Sequence, residues 1–155
     1  MPSSTQMNTD SGDTERAHRV LIVDDEVTIR IALRRFFTRL GWAVEEAANG
    51  ESALEMLEHE GAAGIAPRFD VVVSDLRMPG VTGIELYDQL KVRNPDVVRR
   101  LIFSTGDLVS EEAASFVRST DCVVLQKPFE LAALREVVDR VCVWIEREIA
   151  NADHD

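Results

Sequence analysis

Asp24 and Asp25 close the apolar run of VLIVDDE, Asp75 closes that of DVVVSDLRMPG, Thr105 follows LIFS, and Lys127 follows VVLQ. Carboxylates gathered without His or Cys favour a hard cation. A few of them with water positions left open resemble a Mg²⁺ site that also receives phosphate oxygens, and Mn²⁺ suits the same donors. An aspartate already ionised at neutral pH needs no general base to attack phosphorus, so Asp75 has the chemistry to form an aspartyl-phosphate. The Lys127 ammonium would neutralise developing charge, and the Thr105 hydroxyl would donate to a phosphoryl oxygen. Each residue alone has a plainer use: Asp25 or Glu26 as a helix cap, Lys127-Pro128 as a turn, Ser104-Thr105-Gly106 as a loop. Their shared placement, each just past an apolar run, selects the chemical reading.

Residues so far apart in the chain meet only if a scaffold brings the ends of those runs together. The patterning predicts strands at 20–23, 42–47, 70–74, 100–104 and 122–126. Helices are predicted at 27–40, 51–60, 84–93 and 111–119 and from about 130, with Ser110 as an N-cap. Ile29, Leu33, Phe36, Phe37 and Leu40 form the apolar stripe of the first helix, which Gly41 would cap. Asn49-Gly50 reads as a turn and 61–68 as a Gly/Ala loop. The result is five βα units. Runs as apolar as VLIV and VVV imply strands buried on both faces, and helical crossovers imply a parallel sheet between two helical layers. Ligands of such α/β sheets bind at the carboxyl ends of the strands, where strand order reverses. If the first and third strands are neighbours there, Asp24, Asp25 and Asp75 share a pocket that needs a counter-ion.

At 155 residues, with 45% hydrophobic and 29% charged, the composition suits one globular domain. Its 17 basic and 28 acidic residues leave a net charge of −11, which argues against direct DNA binding and against anionic membranes, since both present phosphate. Cys122 and Cys142 lack metal-ligand spacing and read as packing residues of a reducing, cytoplasmic environment. No run reaches the ~18 apolar residues of a membrane span. Residues 1–17 are expected to be a disordered polar tail, 18–150 the folded domain, and 151–155 a short acidic tail.

Over roughly residues 19 to 145, the segments VLIVDDE, DVVVSDLRMPGVTGIEL, LIFSTGD and LQKPF, in this order and at these separations, resemble the response-regulator receiver domain of two-component signalling. The STGD loop and LQKPF ending are similar to receivers of hybrid histidine kinases. The resemblance implies a doubly wound, flavodoxin-like sheet of order 2-1-3-4-5. It also implies Asp75 as phosphoacceptor, Mg²⁺ held by Asp24, Asp25, Asp75 and the backbone carbonyl of Arg77, Thr105 as the switch hydroxyl, and Lys127 as the phosphoryl contact. The bond before Pro128 is a cis candidate. Val124 departs from the pattern, since receivers carry an aromatic there, so a rotating aromatic switch is not expected. Arg77 and Asp107 would flank the pocket mouth and are candidates for tuning the phosphoryl lifetime.

A stand-alone receiver would take its phosphoryl group from a histidine kinase or a histidine phosphotransfer protein and signal to a downstream protein by contact. It would be no enzyme beyond self-phosphorylation and slow autodephosphorylation at Asp75. A receiver-like scaffold or phosphate sink is the alternative, followed by a metal-dependent α/β phosphatase. The last helix presents Leu131, Leu134, Val137, Val138, Val141, Ile145 and Ile149 as a core stripe. Val143 and Trp144 fall outside it and are expected either to cover neighbouring loops or to form a docking or homodimer surface.

Overall fold

The computed structural model describes residues 18–58, 69–106 and 108–154, with side chains described as far as residue 143. The tail expected over 1–17, the loop at 61–68 and Asp107 lie outside the described residues, as do the side chains of Trp144, Ile145 and Ile149. The chain runs β1 (Arg19–Val23), α1 (Val27–Arg39), β2 (Ala43–Ala47), α2 (Gly50–Glu58), β3 (Val71–Asp75), α3 (Gly83–Arg93), α4 (Pro95–Val98), β4 (Leu101–Thr105), α5 (Glu111–Ser119), β5 (Val123–Gln126) and α6 (Leu131–His154). The strands form one parallel sheet of order β2-β1-β3-β4-β5.

Alternation along the strands decides which layer each residue feeds. Val20, Ile22, Val71, Val73 and Ile102 pack with Leu33 and Phe37 of α1 and with Leu134, Val137 and Val138 of α6. Leu21, Val23, Val72 and Phe103 face the other way, against Ala53 and Leu57 of α2, Leu86 and Leu90 of α3 and Phe116 of α5. Every residue of β3 and β4 is buried. Each such aliphatic side chain contributes about 1.5–3 kcal/mol by leaving water, so the strand ends sit on the most strongly held part of the molecule. The half-buried edge strand β2 instead carries Glu45 and Glu46, paired with Arg19 and with Arg30 and Arg34, which discourages further strand pairing.

Local chemistry accounts for the boundaries and for the departures from expectation. Gly41, at φ +87°, follows α1 and donates to the Thr38 carbonyl, while Trp42 N–H reaches Phe37 O, the paired bonds that end a helix in a left-handed residue. Neither acid weighed as a cap for α1 serves as one: Glu26 holds the N-cap position without a side-chain cap bond, and Asp25 is exposed. The short α4 was not anticipated; Pro95 at its start supplies a φ already suited to a first turn. Leu131, expected in the core stripe, is 45% exposed because it opens α6 at the rim of the sheet. That helix continues to His154, through most of the expected acidic tail, since no Gly or Pro between 131 and 154 interrupts it.

The junction between β3 and α3 holds Asp75 in place. Thr82 caps α3 by accepting from Glu85 N–H, and the Glu85 carboxylate accepts from Thr82 N–H in return. Gly83, the next residue, is buried so tightly under β3 that a Cβ there would lie 2.5 Å from the Asp75 carbonyl oxygen and 2.8 Å from Leu76 Cα. Helix propensity alone predicts that Gly83→Ala stabilises by up to ~1 kcal/mol. The contact with backbone reverses the sign, and a net loss of about 1–3 kcal/mol in urea unfolding is expected. An unchanged or raised midpoint would show that α3 can shift away from Asp75 at no cost.

Candidate functional site

Parallel pairing of β1 with β3 sets Val23 opposite Ser74, so Asp24 and Asp75 emerge side by side where the two strands end. One carboxylate oxygen from each of Asp24, Asp25 and Asp75 lies within 4.8 Å of the others. Asp24 and Asp75 are 1% and 7% exposed, whereas Asp25 is open to solvent. Backbone geometry fixes the inner pair. Asp24 N–H donates to Ala47 O at 3.2 Å, its Oδ1 accepts from Glu26 N–H at 2.9 Å, and Arg77 N–H approaches Asp75 Oδ1 at 3.4 Å. Arg30 reaches back from α1 to the Asp24 carbonyl at 2.6 Å.

Lys127 arrives from the far side of the sheet. Its N–H donates to the Thr105 carbonyl at 2.7 Å, and the Lys127–Pro128 peptide is cis. The ammonium stands 3.1 Å from Asp24 Oδ2, 3.4 Å from Asp75 Oδ2 and 3.4 Å from Glu26 Oε1. Thr105, fully buried, ends β4 one step beyond the Asp75–Ser104 pair. The four strand ends thus converge on one edge, with three carboxylates facing one ammonium.

Burial adds to that imbalance in setting the acidity of the site. Burial pushes the Asp75 carboxyl above its ordinary value, the charge of Asp24 adds to the rise, and Lys127 only partly offsets it. Burial acts on Lys127 in the opposite direction, but the carboxylates of Asp75 and Asp24 outweigh it and hold the ammonium above its ordinary value. One lysine does not balance this cluster. An all-oxygen donor set with surplus negative charge and an exposed third member fits a hard divalent cation with water positions open to an incoming ligand.

Around the site the other expected residues are placed differently. Arg77 is exposed and its Nη1 donates to Ser110 Oγ at 3.3 Å, while Ser110 Oγ accepts from Ala113 N–H and so caps α5. Asp107, expected with it at the pocket mouth, lies outside the described residues. Val124 is half-buried in β5 beside the α5 layer. The rings in this layer come from elsewhere: Phe116 of α5 meets Phe103 of β4 at 5.4 Å and Tyr87 of α3 at 5.1 Å, both edge-on. Sequence reasoning missed three contributors. Glu26 as a third carboxylate on Lys127 follows only from the fold. Thr82-x-x-Glu85 is a legible capping signature, and Gly83 follows it directly.

Comparisons with known proteins bear on the family and the fold. The response regulator receiver domain family matches residues 20–139. Transcriptional regulatory protein ResD of Bacillus subtilis is 31% identical over 135 residues, which cover 87% of this chain and 51% of that protein. Sporulation initiation phosphotransferase F of the same organism is 31% identical over 123 residues, covering 79% of this chain and 91% of its own length. The solved structure of the Vibrio cholerae chemotaxis protein CheY4 matches with a TM-score of 0.64 at 28% identity, over 81% of this chain and 98% of that one. This chain spans about half the length of ResD and of several other regulators it matches. Since the matched region takes in the ends of all five strands and everything gathered at them, the chain belongs to the response-regulator receiver domain family, the module of two-component systems that is phosphorylated on an aspartate.

Proposed function

We propose that Asp75 accepts a phosphoryl group from a phosphohistidine, on a histidine kinase or a histidine phosphotransfer protein, and that the phosphorylated chain signals through altered contacts with a downstream protein. The observation that carries this reading is the meeting of Asp24, Asp25 and Asp75 oxygens within 4.8 Å, beside the Lys127 ammonium and at the end of the strand that carries Thr105. Asp24, Asp25, Asp75 and the backbone carbonyl of Arg77 would hold Mg²⁺, or Mn²⁺, which supplies charge neutralisation to the carboxylates and the incoming phosphoryl oxygens. A carboxylate oxygen of Asp75 attacks phosphorus. The O–P bond forms as the P–N bond breaks, and the imidazole leaves with the electron pair. Lys127 exchanges a carboxylate for a phosphoryl oxygen, and Thr105 donates its hydroxyl to another. The chain turns over no external substrate; water later cleaves the acyl phosphate.

Val27, Ile31 and Leu131 support docking of the donor at this edge. They are 56%, 43% and 45% exposed, on the two helices of one layer, and two of them open their helices just past the strand ends. An apolar rim around the acceptor suits a helical partner presenting histidine. On the output side, Phe116 lodged between Phe103 and Tyr87 takes the place of an aromatic at Val124, so movement at Thr105 passes through Phe103 to α5. Arg77, tied to the cap of that helix at Ser110, gives the acceptor loop a second hold on α5, and with Asp107 is the candidate for tuning the phosphoryl lifetime.

Incubation with Mg²⁺ and acetyl phosphate, followed by intact-mass measurement, is expected to add one phosphoryl group to wild type, none to Asp75→Ala, and none when EDTA is present. Equal labelling of Asp75→Ala would remove Asp75 from the acceptor role. The burial of Asp75, with Asp24 beside it, also sets a stability expectation. Because the folded-state pKa of Asp75 lies above its unfolded value, its contribution is most favourable below the unfolded value and is lost as pH rises through the folded one. Asp75→Asn, assayed without divalent ions, should therefore melt higher than wild type at neutral pH, by a few degrees, and this advantage should vanish in acid. Millimolar Mg²⁺ should raise the wild-type melting temperature and leave Asp75→Asn less affected. A variant that melts below wild type at neutral pH would mean that Asp75 stabilises the free site.

A further inference from the structure

At the opposite end of the sheet from Asp75, a cleft of about 610 Å³ opens where β4 and β5 begin. Leu101 and Val123, the first residues of those strands, form its floor together with Val98 of α4 and Val141 of α6. Tyr87 and Lys91 of α3 and Arg140 and Val141 of α6 also line it, so both helical layers contribute. The volume falls within the roughly 300–1,000 Å³ of small-molecule sites, and an apolar floor with few charged groups is their usual make-up.

The charges around it run against the rest of the chain. Among the described residues, Lys91, Arg99 and Arg140 line the cleft against one acid, Asp121, on a chain whose net charge is −11. The Lys91 ammonium lies 5.7 Å from the centroid of the Tyr87 ring, held over an aromatic face that itself lines the cleft. Cys122 adds a neutral surface rather than a reactive one: its Sγ donates to Val98 O at 3.5 Å, and burial pushes the thiol up, so no thiolate repels an anion. The donors are wrong for a metal ion, and the cationic set is too small for nucleic acid against the overall charge.

We propose that this cleft binds a small amphipathic anion, with an aromatic or aliphatic body against Leu101, Val123, Val141 and the Tyr87 ring and its carboxylate or phosphate between Lys91, Arg99 and Arg140. The site is independent of phosphoryl acceptance at the other end of the strands, and it stands or falls separately from the function proposed above.

Anilinonaphthalene sulfonate, a planar apolar body with one anionic group, is a direct probe, and phenylnaphthylamine is its neutral counterpart. Titrated into the folded full chain, the sulfonate should give saturable one-to-one binding with blue-shifted fluorescence, at least tenfold tighter than the neutral compound. The double variant K91E/R140E should weaken it tenfold or more, with melting temperature and acetyl-phosphate labelling unchanged. K91Q/R140Q gives the same test, to a smaller degree, should charge reversal disturb folding. Phenyl phosphate or octanoate should displace the probe and inorganic phosphate should not. Equal affinity for the charged and neutral probes, an affinity indifferent to Lys91 and Arg140, or displacement by inorganic phosphate alone would overturn the proposal, as would no saturable binding up to millimolar probe.

Discussion

Three carboxylates lie within 4.8 Å of one another, and the buried pair, Asp24 and Asp75, repel by on the order of 3 kcal/mol at an effective dielectric of about 20. No loop would hold them there unaided. They stay because Asp24 and Asp75 are continuations of β1 and β3, whose side chains are packed on both faces, so spreading the acids apart would mean disturbing the sheet. Hydrophobic burial along the strands therefore sustains an electrostatically unfavourable edge, and that stored repulsion is what makes the edge receptive to a cation.

Lys127 relieves the repulsion incompletely. It shares one ammonium among Asp24, Asp75 and Glu26, and Asp75 keeps a raised pKa despite it. A lysine divided in this way gives none of the three carboxylates a full counter-charge. The backbone hydrogen bond from Lys127 to Thr105 O couples that lysine to the end of β4. Two residues earlier in the same strand, Phe103 stacks edge-on with Phe116 of α5. The aromatic packing between β4 and α5 thus comes from Phe103 and Phe116, with Val124 beside it in the same layer.

The same sheet has two differently charged ends. Its carboxyl ends carry surplus acid, while its amino ends at β4 and β5 border a cleft lined by Lys91, Arg99 and Arg140. Parallel strands make this separation natural, because every strand begins at one end and finishes at the other. Each end thus keeps a charge of its own, with the apolar core between them.

The sequence alone determined the alternation of strands and helices, because VLIV and VVV are too apolar for anything but a strand buried on both faces. It also placed Asp24, Asp25, Asp75, Thr105 and Lys127 at strand ends, because residue type and position along a run are local properties. Recognition of four ordered motifs added the strand order, which local patterning cannot supply. Only the tertiary structure decided that Lys127 leans on Glu26 as well as on the acid pair, that Gly83 lies under the Asp75 carbonyl, that Arg77 reaches the cap of α5, and that Tyr87 and Arg140 border one cleft. Each of these depends on a distance between two elements, which is fixed by how the helices pack on the sheet.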